Sequence, residues 1–175
     1  MARLFFALWP DTATRAALDD TARNIAIEGG RRVPASNLHI TLAFLGAVDD
    51  ARLAVVLAVG DRVQGRRFSI EFTEQGWWPG PKVAWIAPAA VPSPLQALVD
   101  DLRRGVAEAG LSSDARPYRP HLTIARKVSR KPAVQRLDPL LWAVPGFALV
   151  ASVTAPAGAV YEVLRQWSLD QVGCD

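Results

Sequence analysis

The chain contains only two histidines, and both stand in the same frame. "NLHITLAFLG" spans residues 37–46 and "RPHLTIAR" spans residues 119–126, so His39 and His121 are each followed, two places on, by Thr41 and Thr123. With seven threonines in 175 residues, that double coincidence has a chance of about 0.002. Two imidazoles with ordinary pKa values near 6.5 can hold opposite protonation states around neutrality, one taking a proton from a nucleophile while the other gives one to a leaving group. Displacement at phosphorus suits that pair. Hydroxyls, with an arginine beside them, can hydrogen-bond the non-bridging oxygens as charge builds. A metal role fits less well, because two histidines fall short of three or four ligands and no H-E-x-x-H spacing occurs.

Such chemistry requires the four side chains to meet, and a strand reading brings each pair together. Side chains alternate along a strand, so Leu38, Ile40, Leu42 and Phe44 form one row while His39 and Thr41 form the other, about 7 Å apart. In the second motif Leu122 and Ile124 take the core row and His121 and Thr123 face the opposite way. Strict alternation puts Arg126 on the core row, so the strand must end or twist for it to reach a cleft.

The rest of the chain alternates strand and helix signals. Arg3 to Trp9 reads as a buried strand. Asp11 caps a helix running towards Glu28, where Gly29-Gly30 stops it. A second helix fits Asp49 to Val63, followed by strands near Phe68 to Thr73 and Val83 to Ala87 with "QGWWPGPK" as their turn. Ser93-Pro94 opens a helix to Gly110. A short helix is expected near Pro132 to Trp142, and strands over Gly146 to Thr154 and Tyr161 to Leu169 close the chain. The caps Asp11 and Ser93 each lie 28 residues before a histidine, and strands opening at Phe68 and Phe147 follow at similar intervals. This weak repeat predicts two similar α+β lobes facing each other, with both His-Thr pairs in one cleft.

Composition sets the class. Half of the residues are hydrophobic and the net charge is +3, which suits a globular protein and allows an anionic partner. The lone cysteine, Cys174, has no partner for a disulfide, so a reducing, cytoplasmic setting is expected. "RLFFALWP" is too short to span a membrane or to serve as a signal core. Paired arginines such as Arg31-Arg32 read most simply as solvated charge. Trp9, Trp85, Trp142 and Trp167 read as core, and Trp77 and Trp78 as residues that pin a loop, with base stacking the alternative.

The two motifs, together with "RLFFALWPD" and the ending "YEVLRQWSL", resemble the 2H phosphoesterase superfamily. Within it they are similar to the RNA 2′,3′-cyclic phosphodiesterases, also called 2′-5′ RNA ligases. The resemblance covers residues 3–169. It implies one domain over residues 1–175 built of two interleaved lobes, a bilobal, pseudo-twofold α+β fold with two antiparallel sheets lining a central cleft and helices outside. It also implies hydrolysis of RNA 2′,3′-cyclic phosphate ends to 2′-phosphomonoesters without a metal or other cofactor, and weak ATP-independent 2′-5′ ligation. Carried over residue by residue, His39 and His121 are the acid–base pair, while Thr41, Thr123 and Arg126 bind phosphate. The expected partner is RNA with a cyclic phosphate terminus, acted on by a monomer away from membranes. A single-stranded RNA binding module without turnover, or an enzyme for a small cyclic nucleotide, are the alternative readings.

Overall fold

The computed structural model describes residues 2–114, 116–133, 137–155 and 158–170. Its strands are β1 (Ala2–Leu8), β2 (Arg31–Arg32), β3 (Ile40–Val48), β4 (Phe68–Phe72), β5 (Glu74–Trp78), β6 (Val83–Ala87), β7 (Leu122–Arg126), β8 (Leu140–Val144), β9 (Gly146–Ala155) and β10 (Gly158–Ser168). Its helices are α1 (Thr12–Asn24), α2 (Leu53–Arg62) and α3 (Ser93–Glu108). The main sheet has the order β10-β9-β1-β3-β7-β6-β5, with β2 added to β7, and β4 pairs with β8 in a separate small sheet. All of these strand pairings are antiparallel. The α+β class and the two antiparallel sheets match expectation, but the two histidine strands belong to one sheet and not to two.

That sheet is two half-sheets sharing one seam. β3 and β7 meet at a single paired position, Ile40 against Leu122. On one side β3 pairs β1, which pairs β9; on the other β7 pairs β6, which pairs β5. The matching order relates the halves, and the small sheet joins them again by pairing β4 of the first with β8 of the second. The counterpart of β4 is therefore β8, and the sequence match between Phe68 and Phe147 set the repeat one strand out of step. One core of buried residues runs through both halves, from Leu4 and Phe6 to Leu98, Leu122 and Trp142.

Local chemistry explains the element ends. β1 is apolar on both faces because both are covered: Leu4, Phe6 and Leu8 enter the main core, and Phe5 and Ala7 a second cluster with Ala148 and Val150. Asp11 caps α1 by accepting from the Thr14 amide at 2.8 Å. The helix stops at Asn24, short of the predicted Glu28, because the Arg32 guanidinium donates to the carbonyls of Ala22 and Ile25 at 2.6 and 2.7 Å. Those carbonyls thereby gain the partners a helix end lacks. Arg32 is thus structural and not idle surface charge. A 3-10 turn over Asp50–Arg52 takes up the first residues predicted for the second helix.

α3 buries Leu95, Leu98, Val99, Leu102 and Val106 on one stripe. Its N-cap is Pro92, without a side-chain cap, so Ser93 is the first helical residue and not the predicted cap. Strand β5, Glu74–Trp78, takes in the first four residues of the predicted turn, 75–78. The helix predicted near Pro132 to Trp142 is replaced at its C-terminal end by β8; residues 134–136 lie outside the described residues. Pro132 and the Asp138-Pro139 pair oppose helix there, since proline lacks the amide and restricts the residue before it. Among the described residues, no helix is long and apolar enough to cross a membrane.

Gly60 marks the tightest packing of α2. A Cβ there would lie 2.4 Å from the ring of Trp167, whose indole Nε1 donates to Asp61 at 2.7 Å. Alanine normally favours a helix over glycine by about 1 kcal/mol, yet here it must displace a packed indole at a cost of about 1–3 kcal/mol. Gly60→Ala is therefore expected to lower stability in urea denaturation. A gain in stability would contradict the close approach.

Candidate active site

The seam sets the site. Ile40 and Leu122 are each the residue after a histidine, so His39 and His121 stand at equivalent steps on either side of it. Because the strands run antiparallel and splay apart, Thr41 and Phe44 lie beside His121, and Thr123 and Arg126 lie on the side of His39. A cleft of about 490 Å³ is lined by Thr41, Phe44, Trp78, Tyr118, Arg119 and His121 among others, whereas His39, Thr123 and Arg126, expected in the same cleft, lie outside its lining. The Tyr118 hydroxyl bonds the Thr41 carbonyl at 3.2 Å, tying the segment before the second motif to the first. Among the described residues, nothing hydrogen-bonds the hydroxyl of Thr41 or Thr123, which leaves both available.

Each ring is held in the same way. His39 Nδ1 lies 2.7 Å from the carbonyl of Asn37, and His121 Nδ1 lies 2.8 Å from the carbonyl of Arg119. A carbonyl only accepts, so Nδ1 carries the proton in both rings and Nε2 is left for chemistry. Backbone carbonyls two residues upstream thus do the orienting work that a carboxylate does in other acid–base sites. No side-chain pattern in the sequence announces them.

The aromatic surroundings differ between the two. His39 packs against Phe5, Trp9 and Tyr161 at ring-centroid distances of 5.0, 5.7 and 5.2 Å. His121 meets the edge of Trp78 at 4.6 Å. Trp9, expected in the core, is a half-buried wall of the site, and Trp78 does more than pin a loop. Burial pushes the His39 pKa down to about 4, helped by the charges of Arg126 and His121 and opposed by the Asn37 bond. His121 is lowered in the same direction, by burial first and by Arg126 as well.

Two bulges explain which side chains reach this face. Between β6 and β7 the register passes from Trp85–Thr123 to Ala84–Ala125, so Ile124 is an extra residue. Between β1 and β3 it passes from Ala7–Thr41 to Phe6–Ala43, so Leu42 is extra. An inserted residue reverses the facing of everything beyond it. Arg126 is consequently exposed on the histidine side, which meets the condition that strict alternation denied it. Phe44, predicted in the core row, is turned out at 46% exposure for the same reason. Phe44 and Arg126 each lie five residues after a histidine, so this equivalent position is apolar in one half and cationic in the other.

Elsewhere, a groove of about 560 Å³ between α2 and α3 offers neither histidine nor threonine. Among the described residues, no group of three or more His, Cys, Asp or Glu side chains could hold a metal ion.

A family profile described as the 2′-5′ RNA ligase superfamily matches residues 10–160. An RNA 2′,3′-cyclic phosphodiesterase of Thermus thermophilus is 36% identical over 95% of this chain and 90% of its own. The Escherichia coli protein of the same name is 33% identical over 97% of both chains. The crystal structure of E. coli LigT in the apo form superposes with a TM-score of 0.84 at 32% identity, covering 97% of this chain and 98% of the other.

The depressed histidines make stability depend on pH. An unfolded chain takes up a proton at His39 near pH 6.5, whereas the folded chain refuses it until about pH 4. Folding is therefore undisturbed above 6.5 and weakens as pH falls through that window, by at most about 3 kcal/mol from this residue. Urea denaturation at pH 7 and pH 4.5 should show a smaller acid loss for His39→Gln than for wild type; an equal loss would contradict the burial. Arg126→Ala should raise both histidine pKa values in an NMR titration, and unmoved values would place its charge outside the site.

Proposed function

The chain belongs to the 2′-5′ RNA ligase superfamily, and from that premise we propose that it hydrolyses RNA 2′,3′-cyclic phosphate ends to 2′-phosphomonoesters. The observation that carries this reading is the pair of equivalent histidines, both with Nδ1 bonded to a carbonyl and Nε2 left for proton transfer. A cyclic phosphate lies between the rings. One Nε2 accepts a proton from water as its oxygen attacks phosphorus. The other, protonated, gives its proton to the departing ribose 3′ oxygen. The hydroxyls of Thr41 and Thr123 donate to the non-bridging oxygens, and Arg126 balances their charge.

The same groups serve the parallel displacement in which a ribose 5′ hydroxyl replaces water, the 3′ oxygen leaves as before and a 2′-5′ diester forms; this supports weak 2′-5′ ligation without ATP. Every group invoked comes from one chain, so a monomer of a single interleaved domain suffices. None of the steps needs a cofactor, and an RNA terminus is the partner.

Electrostatics set the timing of the proton transfers. In the free protein both histidines are held below the usual imidazole range, so an uncharged base is ready at neutral pH. The acid gains its proton more readily when the anionic phosphate arrives beside it. The bell-shaped profile of kcat/KM, which reports the free protein, should therefore centre below pH 6.5, and that of kcat should lie higher. Coincident profiles would contradict this. With an oligonucleotide ending in a cyclic phosphate, turnover should persist in EDTA and fall about a hundredfold or more in His39→Ala and in His121→Ala. Full activity in either variant, or loss of wild-type activity on chelation, would overturn the mechanism.

A further inference from the structure

The chain is rich in arginine but has three lysines, Lys82, Lys127 and Lys131, and the first two fall at one end of the second half-sheet. Lys82 precedes β6 and Lys127 follows β7. The two strand ends are locked together, since Val83 pairs with Arg126 and the Val128 amide donates to the Lys82 carbonyl at 3.0 Å. Lys82 and Lys127 both have positive φ, 54° and 57°, the non-glycine residues described with that geometry. Such conformations cost free energy and persist only where the surroundings impose them.

The same end gathers further cations. Arg31 of β2 pairs in register with Arg126. The turn before β2 is pressed against this end, where a Cβ on Gly30 would stand 2.6 Å from the Arg126 carbonyl. Lys82, Arg126 and Lys127 are all exposed. Among the described residues, no carboxylate forms an ion pair with any of the three. Arg130 does meet Glu28 at 3.5 Å, both side chains being largely solvated. At the other mouth of the cleft Arg116 pairs with Asp114, and Arg103 donates to the Arg116 carbonyl and lies over the Tyr118 ring, while Arg119 is exposed. Arg126 links the patch to the reacting centre, because the bulge at Ile124 turns it to the histidine side of β7.

We propose that this lysine end is a track for the ribose-phosphate backbone of single-stranded RNA, holding phosphates upstream of the terminal one. It rests on the phosphodiesterase reading and adds the route by which the strand leaves the cleft. Lysine ammonium groups are flexible point charges and read no sequence, so the track serves any single strand. Arg126 is the hand-over between the terminal phosphate and those upstream.

The test is equilibrium binding of a decamer ending in a 2′-phosphate and of a nucleoside 2′-phosphate, each measured over a range of salt concentrations. Each phosphate held on a single strand adds about 0.7 to the slope of log K against log salt. Two lysine contacts predict a decamer slope steeper than the mononucleotide slope by about 1.4 or more. Lys82→Asn with Lys127→Asn should remove about that much, asparagine being chosen because it tolerates positive φ. Arg62→Gln with Arg104→Gln, on α2 and α3, makes the same change in net charge and should leave the slope alone. Equal slopes for the two ligands, a wild-type slope in the lysine variant, or an equal fall in the arginine control would each overturn the track. Turnover of a nucleoside 2′,3′-cyclic phosphate in the same preparation judges the phosphodiesterase reading by itself, since the binding measurement uses product only.

Discussion

A single antiparallel contact, Ile40 against Leu122, is what the rest of the molecule depends on. It is the one paired position between the strands that open directly after the histidines, and it sits one residue beyond each of them. Its register sets the two rings at equivalent steps on either side of the seam. A one-residue slip would turn each motif's side chains to the other face. Around that contact the core is continuous, so the spacing of the rings is set by the packing of both halves and not by a hinge.

The electrostatic state follows from the same geometry. The charge of Arg126 acts on both histidines, and His39 is walled by Phe5, Trp9 and Tyr161, so positive charge is expensive there before a ligand arrives. The cost is offset when an anionic phosphate enters, and protonation of one imidazole then becomes coupled to binding. The carbonyls of Asn37 and Arg119 favour the ionised rings and hold Nδ1 protonated meanwhile. The unmatched pair Phe44 and Arg126 breaks the equivalence of the two halves, so the two histidines need not be interchangeable.

Much of this was legible in the residues. The His-x-Thr frames, the apolar rows up to Leu42 and Ile124 and the Asp11 cap each report a local rule that the fold obeys, and the class and the order β1, α1, β3, α2, β4, β6, α3, β7 followed from such rules. What was not legible is non-local. The bulges at Leu42 and Ile124 depend on the partner strands β1 and β6, so the outward turn of Phe44 and Arg126 could not be read from β3 or β7 alone. The orienting carbonyls belong to backbone, which any residue supplies. Trp9 looked like core because an apolar wall of a site and an apolar wall of a core have the same composition. Arg32 looked like surface charge because its helix-end carbonyls become neighbours only after folding.

Having only two histidines makes one spectroscopic measurement decisive. Long-range ¹H–¹⁵N spectra of histidine-labelled protein near pH 6.5 would show two imidazoles, first free and then with a saturating oligonucleotide 2′-phosphate. Both rings should be neutral with the proton on Nδ1 in the free protein, and one should become an imidazolium on binding while the other stays neutral. A proton on Nε2 in either free ring, or two rings unaffected by the phosphate, would contradict the account of paired proton transfer across a single phosphate.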